Sequence, residues 1–231
     1  MILIIIALVC LVVFASLYLF WRYVWFFRNP SRTVPPEGTG ILSPADGTVV
    51  YVRQMMPKES VINIKQGMEA TLNDITREDI NRPKILIGIF MSPFNVHYNR
   101  MPVSGKIDFI HHYPAITQNL CMLSMHLRTL FKRAPLYRNS AHIVMNERTV
   151  TRIKGEYRGA DLSCYVVQIA AKSVAGIDVF LAEGARASAG EIFGMIRIGS
   201  QVDLVVTPRA GMNIKVSPGD KVTAGQTVLI E

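Results

Sequence analysis

Cysteine is scarce and unpaired in this chain of 231 residues: Cys10, Cys121 and Cys164 stand alone, at no spacing that marks a zinc site or a disulfide framework. Cys164 lies in the apolar pattern LSCYVVQIA and reads as core. No Lys/Arg run interleaved with aromatics occurs, so the usual nucleic-acid footprint is missing although Lys and Arg outnumber Asp and Glu by 25 to 17. Nucleic acid is therefore not expected as a partner. A P-loop, a zinc-protease pattern and catalytically spaced carboxylate pairs are also missing. GARASAGEIFG holds three glycines, but their spacing fits no dinucleotide fingerprint. His111 and His112 are adjacent, so in a strand they point to opposite faces and do not share a metal. No metal site is expected. The remaining absence is charge: none occurs from Ile2 to Phe20.

Those nineteen residues, at about 1.5 Å each, span about 29 Å, close to a bilayer's hydrocarbon thickness. Trp21, Tyr23 and Trp25 follow as interfacial aromatics do, with Arg22, Arg28 and Arg32 beyond. A cleaved signal peptide fits less well: the run is too long, its amino-terminal side lacks Lys and Arg, and no small-residue cleavage site follows. The expectation is an uncleaved anchor over 1–27, a Pro-rich linker over 28–40 and a domain over 41–231. The positive charges lie on the carboxyl side, which places the domain at the cytoplasmic side of the cell membrane. The net charge of +8 points the same way, toward an anionic partner such as a phospholipid surface.

Beyond the linker, short runs rich in Val and Ile recur between turn signals: TVVYV, KILIGIFM, GKIDFI, AHIVM, TVTRI, SCYVVQIA and VDLVV. Strands do not alternate with long helices. The fold class is mainly β (α+β), a hairpin-rich domain of β-sandwich or barrel-sandwich type with one N-terminal transmembrane helix. INIKQGMEATLNDITREDINRP is polar and reads as a surface excursion. Leu120, Leu123, Leu127 and Leu130 recur at helical spacing before Lys132, Arg133 and Arg138. A short amphipathic helix is expected there, packed on the sheet by its leucines or resting on lipid. The tail resembles the hairpins of lipoyl- and biotinyl-type carrier domains in architecture only, because Lys215 is displaced from the Pro218-Gly219 tip.

FGMIRIGSQVDL reads as one half-buried strand with a flaw. Ile196, Ile198, Val202 and Leu204 alternate with Arg197, Gln201 and Asp203, but Gly199 and Ser200 interrupt the pattern. A strand-interior glycine marks a bulge or a close backbone approach, and a hydroxyl on an apolar face loses hydration. His97 sits in the turn-rich MSPFNVHYNRMP after an apolar strand, where loops hold functional groups, and equally suits a structural histidine. Asp46 lies in SPADG, a turn signature in its own right.

FFRNPSR after an anchor, SPADGTV, FNVHYNRMPVSG, NERT, VVQIA and FGMIRIGSQVD occur in this order. From about Phe26 to the end the chain resembles the short-form phosphatidylserine decarboxylase proenzymes, pyruvoyl-dependent enzymes. The resemblance implies that the chain cuts itself between Gly199 and Ser200. The large chain would be 1–199 and the small chain 200–231, beginning with a covalent pyruvoyl group made from Ser200. Ser200 Oγ would attack the Gly199 carbonyl, with His97 as base and Asp46 orienting it. The pyruvoyl group would then form a Schiff base with phosphatidylserine, release carbon dioxide and give phosphatidylethanolamine. Two departures bear on headgroup contacts: Arg100 stands where longer members have a second histidine, and Lys172 follows VQIA without an arginine pair. Alternatives are a decarboxylase of another amino-headgroup lipid such as archaetidylserine, and a membrane-anchored β-domain adaptor needing neither Ser200 nor His97. A homo-oligomer is compatible with the sequence.

Overall fold

A computed structural model of the chain describes residues 1–56, 59–65, 68–71, 75, 82–138, 140–172, 176–197 and 200–231. Helix α1 (Ile2–Phe20) continues through a wider π turn at Trp21–Trp25. No residue of α1 is buried against the rest of the protein. A helix apolar on every side has no face to offer water. This one is long and apolar enough to cross a membrane.

The rest is mostly sheet. Eight antiparallel strands form the main sheet in the order β11 (Arg186–Ala187), β7 (Gly105–Tyr113), β8 (Arg148–Tyr157), β9 (Ala160–Ala170), β13 (Ser200–Val206), β5 (Lys84–Met91), β2 (Gly47–Met55), β14 (Lys221–Val222). A three-stranded sheet runs β10 (Ile177–Val179), β12 (Ile192–Ile196), β6 (Tyr98–Arg100). β1 (Ile41–Leu42) pairs with β15 (Val228–Ile230), and β3 (Ser60–Lys65) with β4 (Met68–Thr71). Half of the polar excursion expected around β3 and β4 lies outside the described residues.

The main sheet is covered on both faces, which accounts for the unbroken apolar run of β5, buried at every position. One face carries Ile87, Ile89, Val166, Val202 and Leu204 against Phe193, Ile196, Leu229 and Ile230 of the smaller sheets. The other carries Leu86, Phe90, Val167, Ile169 and Val205 against Met122, Met125, Leu136 and Ile143, which belong to the long connection between β7 and β8. That connection holds α2 (Leu123–Leu130) and α3 (His142–Met145).

The FGMIRIGSQVDL stretch departs from the expected single strand. β12 ends at Ile196 and β13 begins at Ser200 in a different sheet, so the chain crosses from one sheet to the other between those two residues. Arg197, the last described residue before the crossing, is held by Asp178 through Nε at 2.8 Å and Nη2 at 3.1 Å. Nor is β13 half-buried: with β9 on one side and β5 on the other, all seven of its residues are buried. Alternating polarity could not reveal this, because its polar face is covered by protein rather than water.

Candidate active site

The ends of several main-sheet strands meet at Ser200. Met91 closes β5 and Ala170 closes β9, and both pair with Ser200 at the start of β13. The Ser200 side chain is fully buried on the face of Val202 and Leu204. Its hydroxyl donates to the Met91 thioether at 3.3 Å, a weak acceptor for a buried O–H. Asn99 Nδ2 reaches the same sulfur at 3.8 Å, and Gln168 Nε2 donates to Asn99 Oδ1 at 2.8 Å. A buried polar chain thus runs Gln168, Asn99, Met91, Ser200. Gly199 lies outside the described residues.

His97 ends the loop that follows β5. Asn95 shapes that loop by accepting from Ser92 N at 2.8 Å. The Ile196 N–H, four residues before Ser200, donates to the His97 carbonyl at 3.3 Å. The imidazole is fully buried, and its Nδ1 faces the Asn95 carbonyl at 2.9 Å. A carbonyl only accepts, so Nδ1 carries the proton and Nε2 is left as a bare lone pair. Among the described residues no partner meets Nε2. Burial, reinforced by the Arg28 charge and opposed by the Asn95 bond, pushes this imidazole down to about 4. It is therefore neutral at physiological pH.

The end of the expected anchor and the start of the expected linker fold onto the site. Phe26 is fully buried, its ring lying over the His97 imidazole with centroids 4.4 Å apart. Arg28 donates to the Trp25 carbonyl at 2.9 Å and to the Phe94 carbonyl at 2.6 Å, clasping the helix exit to the His97 loop. Asp46 does not touch the imidazole. Its Oδ1 accepts from the Ala224 N–H at 2.7 Å, and its Oδ2 pairs with Arg32 at 2.9 Å. Arg28 and Arg100 both feel its charge, so Asp46 is the anionic centre of an arginine group beside the site.

A second buried network occupies the opposite face of β13, and sequence reasoning missed it. Gln201 Nε2 donates to Tyr51 Oη at 2.8 Å and to Asp203 Oδ1 at 2.7 Å. Its Oε1 faces His142 Nε2 at 3.0 Å. Asp203 Oδ2 is buried and, among the described residues, has no hydrogen-bond partner. Burial raises Asp203 to about 7, against the pull of Gln201, Tyr51 and Arg148, and lowers His142 to about 4. The one sequence signal was two polar residues, Gln201 and Asp203, spaced by two in an otherwise Val/Leu strand.

Among the described residues no three His, Cys, Asp or Glu side chains gather as metal ligands. His111 stacks on Phe109 at 4.6 Å, while His112 faces Thr149 at 3.2 Å. Cys164 is buried, and burial pushes its thiol up to about 12, which leaves it unreactive.

The family model for phosphatidylserine decarboxylase matches residues 19–230. The chain belongs to the phosphatidylserine decarboxylase family. It is accordingly a decarboxylase. A Methanocaldococcus jannaschii protein with the provisional name archaetidylserine decarboxylase proenzyme is 33% identical over 213 residues, covering 89% of this chain and 87% of that protein. The phosphatidylserine decarboxylase proenzyme of Chlorobium phaeobacteroides is 32% identical over 208 residues, covering 89% of this chain and 76% of its own length. That of Cytophaga hutchinsonii is 32% identical over 216 residues, covering 94% and 80%.

Proposed function

We propose that this chain is a membrane-anchored proenzyme that cuts itself between Gly199 and Ser200 and then decarboxylates phosphatidylserine to phosphatidylethanolamine. The observation that carries this reading is the Ser200 hydroxyl, sealed in the core at the start of a central strand with, among the described residues, only a thioether to bond. A structural role would favour valine there. In the cut, Ser200 Oγ adds to the Gly199 carbonyl carbon while the Gly199–Ser200 C–N bond breaks, leaving an ester and a free Ser200 amine. Loss of the Ser200 α-proton expels the Gly199 carboxylate. Water then replaces the nitrogen, which leaves as ammonia, and the residue becomes a pyruvoyl group.

The site's residues fit such a group. Asn99 Nδ2, an amide donor that reaches the same Met91 sulfur as Ser200 Oγ, could meet a carbonyl oxygen, and among the described residues His97 Nε2 and Gln168 Oε1 are unpartnered buried acceptors that could take a proton or a substrate N–H. When present, the pyruvoyl group supplies a ketone that takes up the substrate amine and draws the electron pair left by departing carbon dioxide. His97 Nε2 would accept the Ser200 proton during the cut. An imidazole held near 4 is a weak base, tolerable for a step needed once per molecule. In turnover Nε2, unprotonated at the start, would take a proton from the substrate amine and return it to the substrate carbon, so the neutral imidazole is the active form. Phe26 and Met91 exclude water. Asp46, fixed by Arg32 and Ala224, would act on His97 through the field of the Arg28–Arg32–Arg100 group.

Denaturing mass measurement tests the reading. A fragment of 231 − 199 = 32 residues, blocked at its amino terminus, is expected from the wild-type chain. Ser200→Ala should give one intact, inactive chain. A wild-type chain that is active and uncut would overturn the proposal. The archaeal relative makes archaetidylserine the second substrate reading. Vesicles of each lipid, assayed for released carbon dioxide, separate the two.

A further inference from the structure

The leucines of α2 do not pack on the sheet. Met122 and Met125 do so, both buried, together with Leu136 from the returning chain. Leu123, Leu127 and Leu130, one face of the helix, point outward with 57%, 44% and 63% exposure, and Phe131 just beyond is 61% exposed. An eight-residue helix thus buries one apolar face and shows a second to the outside.

The charges around this outer face have one sign. From Pro114 to Asn146 the sequence contains no Asp or Glu, while Arg128, Lys132, Arg133 and Arg138 cluster at and after the helix. Among the described residues none of these four makes an ion pair. Arg128, Arg133 and Arg138 line an open cleft of about 510 Å³ with Ser124, Leu127 and Phe131. Arg128 Nη1 donates to the Arg138 carbonyl, which joins the helix to the returning chain.

This patch lies beside the helix exit. Phe90, near the end of β5, meets His126 of α2 with ring centroids 6.0 Å apart. Four residues on, Phe94 meets Trp21 at the end of the apolar helix at 6.3 Å. One short segment therefore touches both elements.

We propose that the β7–β8 connection is a second membrane contact that binds anionic phospholipid. Leu123, Leu127, Leu130 and Phe131 enter the acyl boundary, and Arg128, Lys132, Arg133 and Arg138 meet lipid phosphates. An outward apolar stripe flanked only by cations is the composition of a helix lying in a bilayer interface. Adjacency to the spanning helix selects lipid over a protein or nucleic-acid partner. The inference does not depend on which lipid is decarboxylated.

The test uses the full chain in lipid nanodiscs, with Cys10→Ser and Cys121→Ser and a bimane probe on Leu130→Cys. Discs of phosphatidylcholine alone are compared with discs containing phosphatidylglycerol as well. Phosphatidylglycerol is expected to lower iodide quenching of the probe several-fold and to raise quenching by shallow spin-labelled lipids. Replacing the four cations by Gln should remove the difference. The lipid comparison needs no charge variant, so misfolding of that variant cannot mask the result. Equal iodide quenching in both discs overturns the proposal. So does protection that is independent of phosphatidylglycerol and grows with the number of chains per disc, which would assign the face to a second copy.

Discussion

The His97 imidazole is governed by what covers it. Replacing His97 by Ala should slow self-cutting by about 10²- to 10⁴-fold, the usual range for a lost general base, followed as the rate of fragment appearance. Phe26→Ala should admit water and release His97 toward its ordinary value near 6.5, because burial is the largest cause of its depression. The acid limb of the activity–pH profile should then move to higher pH. An unmoved limb would show that Phe26 does not control the imidazole. Asp203 carries the opposite sign. Its acid is raised to about 7 in the folded chain and titrates near 3.8 when unfolded. The folded state therefore holds the extra proton between these values, and this residue's contribution to stability falls as pH rises from about 4 to about 7. Asp203→Asn should remove that loss. The difference in Tm, variant minus wild type, should grow between pH 5 and pH 8, by about 2–4 °C for each 1 kcal/mol recovered. A difference independent of pH would contradict the buried-acid reading. His142 and His97, both held neutral near 4, act the other way, with stability lost as pH falls from about 6.5 toward 4.

Strand β5 shows how closely these elements approach. Its Gly88 sits under the Tyr51 ring, and a Cβ there would stand 2.4 Å from Tyr51 Cζ. Gly88→Ala should therefore displace Tyr51 and loosen its bond from Gln201, costing about 1–3 kcal/mol as overpacking, readable as a lower denaturation midpoint. Most strands were legible as β-branched runs between turn residues, but AHIVM, read as one more such run, forms the short helix α3 instead. KILIGIFM, VVQIA and VDLVV all fall in the main sheet. What periodicity could not supply was the identity of the covering layer. The α2 leucines have helical spacing, but spacing cannot tell a face turned to the sheet from one turned away; Met122 and Met125 carried the packing instead. Gln201 and Asp203 alternate as a solvent face would, yet a buried network receives them. Ser200 and His97 stood out through chain order and turn context. Phe26 was read as the end of the anchor and Arg28 as a charge just beyond it, and their further task, covering and clasping the His97 loop, depends on a tertiary contact that local sequence does not encode.

For the molecule as a whole, the apolar helix and the site form one unit. Deleting Met1–Trp25 removes the span but leaves Phe26 over His97, whereas deleting Met1–Phe27 removes both. Both truncations should lose activity on vesicles. On detergent-dispersed substrate the shorter deletion should keep wild-type pH dependence, and the longer should show the shifted acid limb expected of Phe26→Ala. Identical profiles would argue against a role for the helix exit in the site. If the arginines that follow the span mark the cytoplasmic side, protease added to sealed, right-side-out cells should leave residues 46–231 intact, and digestion from outside would reverse that orientation. The position of Ser200 has a further consequence. It opens a strand hydrogen-bonded to neighbours on both sides. On the proposed reading, cutting the preceding bond would leave the severed piece laced into the sheet between β5 and β9, with no ladder bond broken. Before the cut, folding is a unimolecular event. Afterwards the same architecture would have to be rebuilt from two polymers, so recovery from denaturant should depend on protein concentration in the cut protein and not in uncut Ser200→Ala. The reaction that equips the protein for catalysis would thus also remove its means of refolding alone.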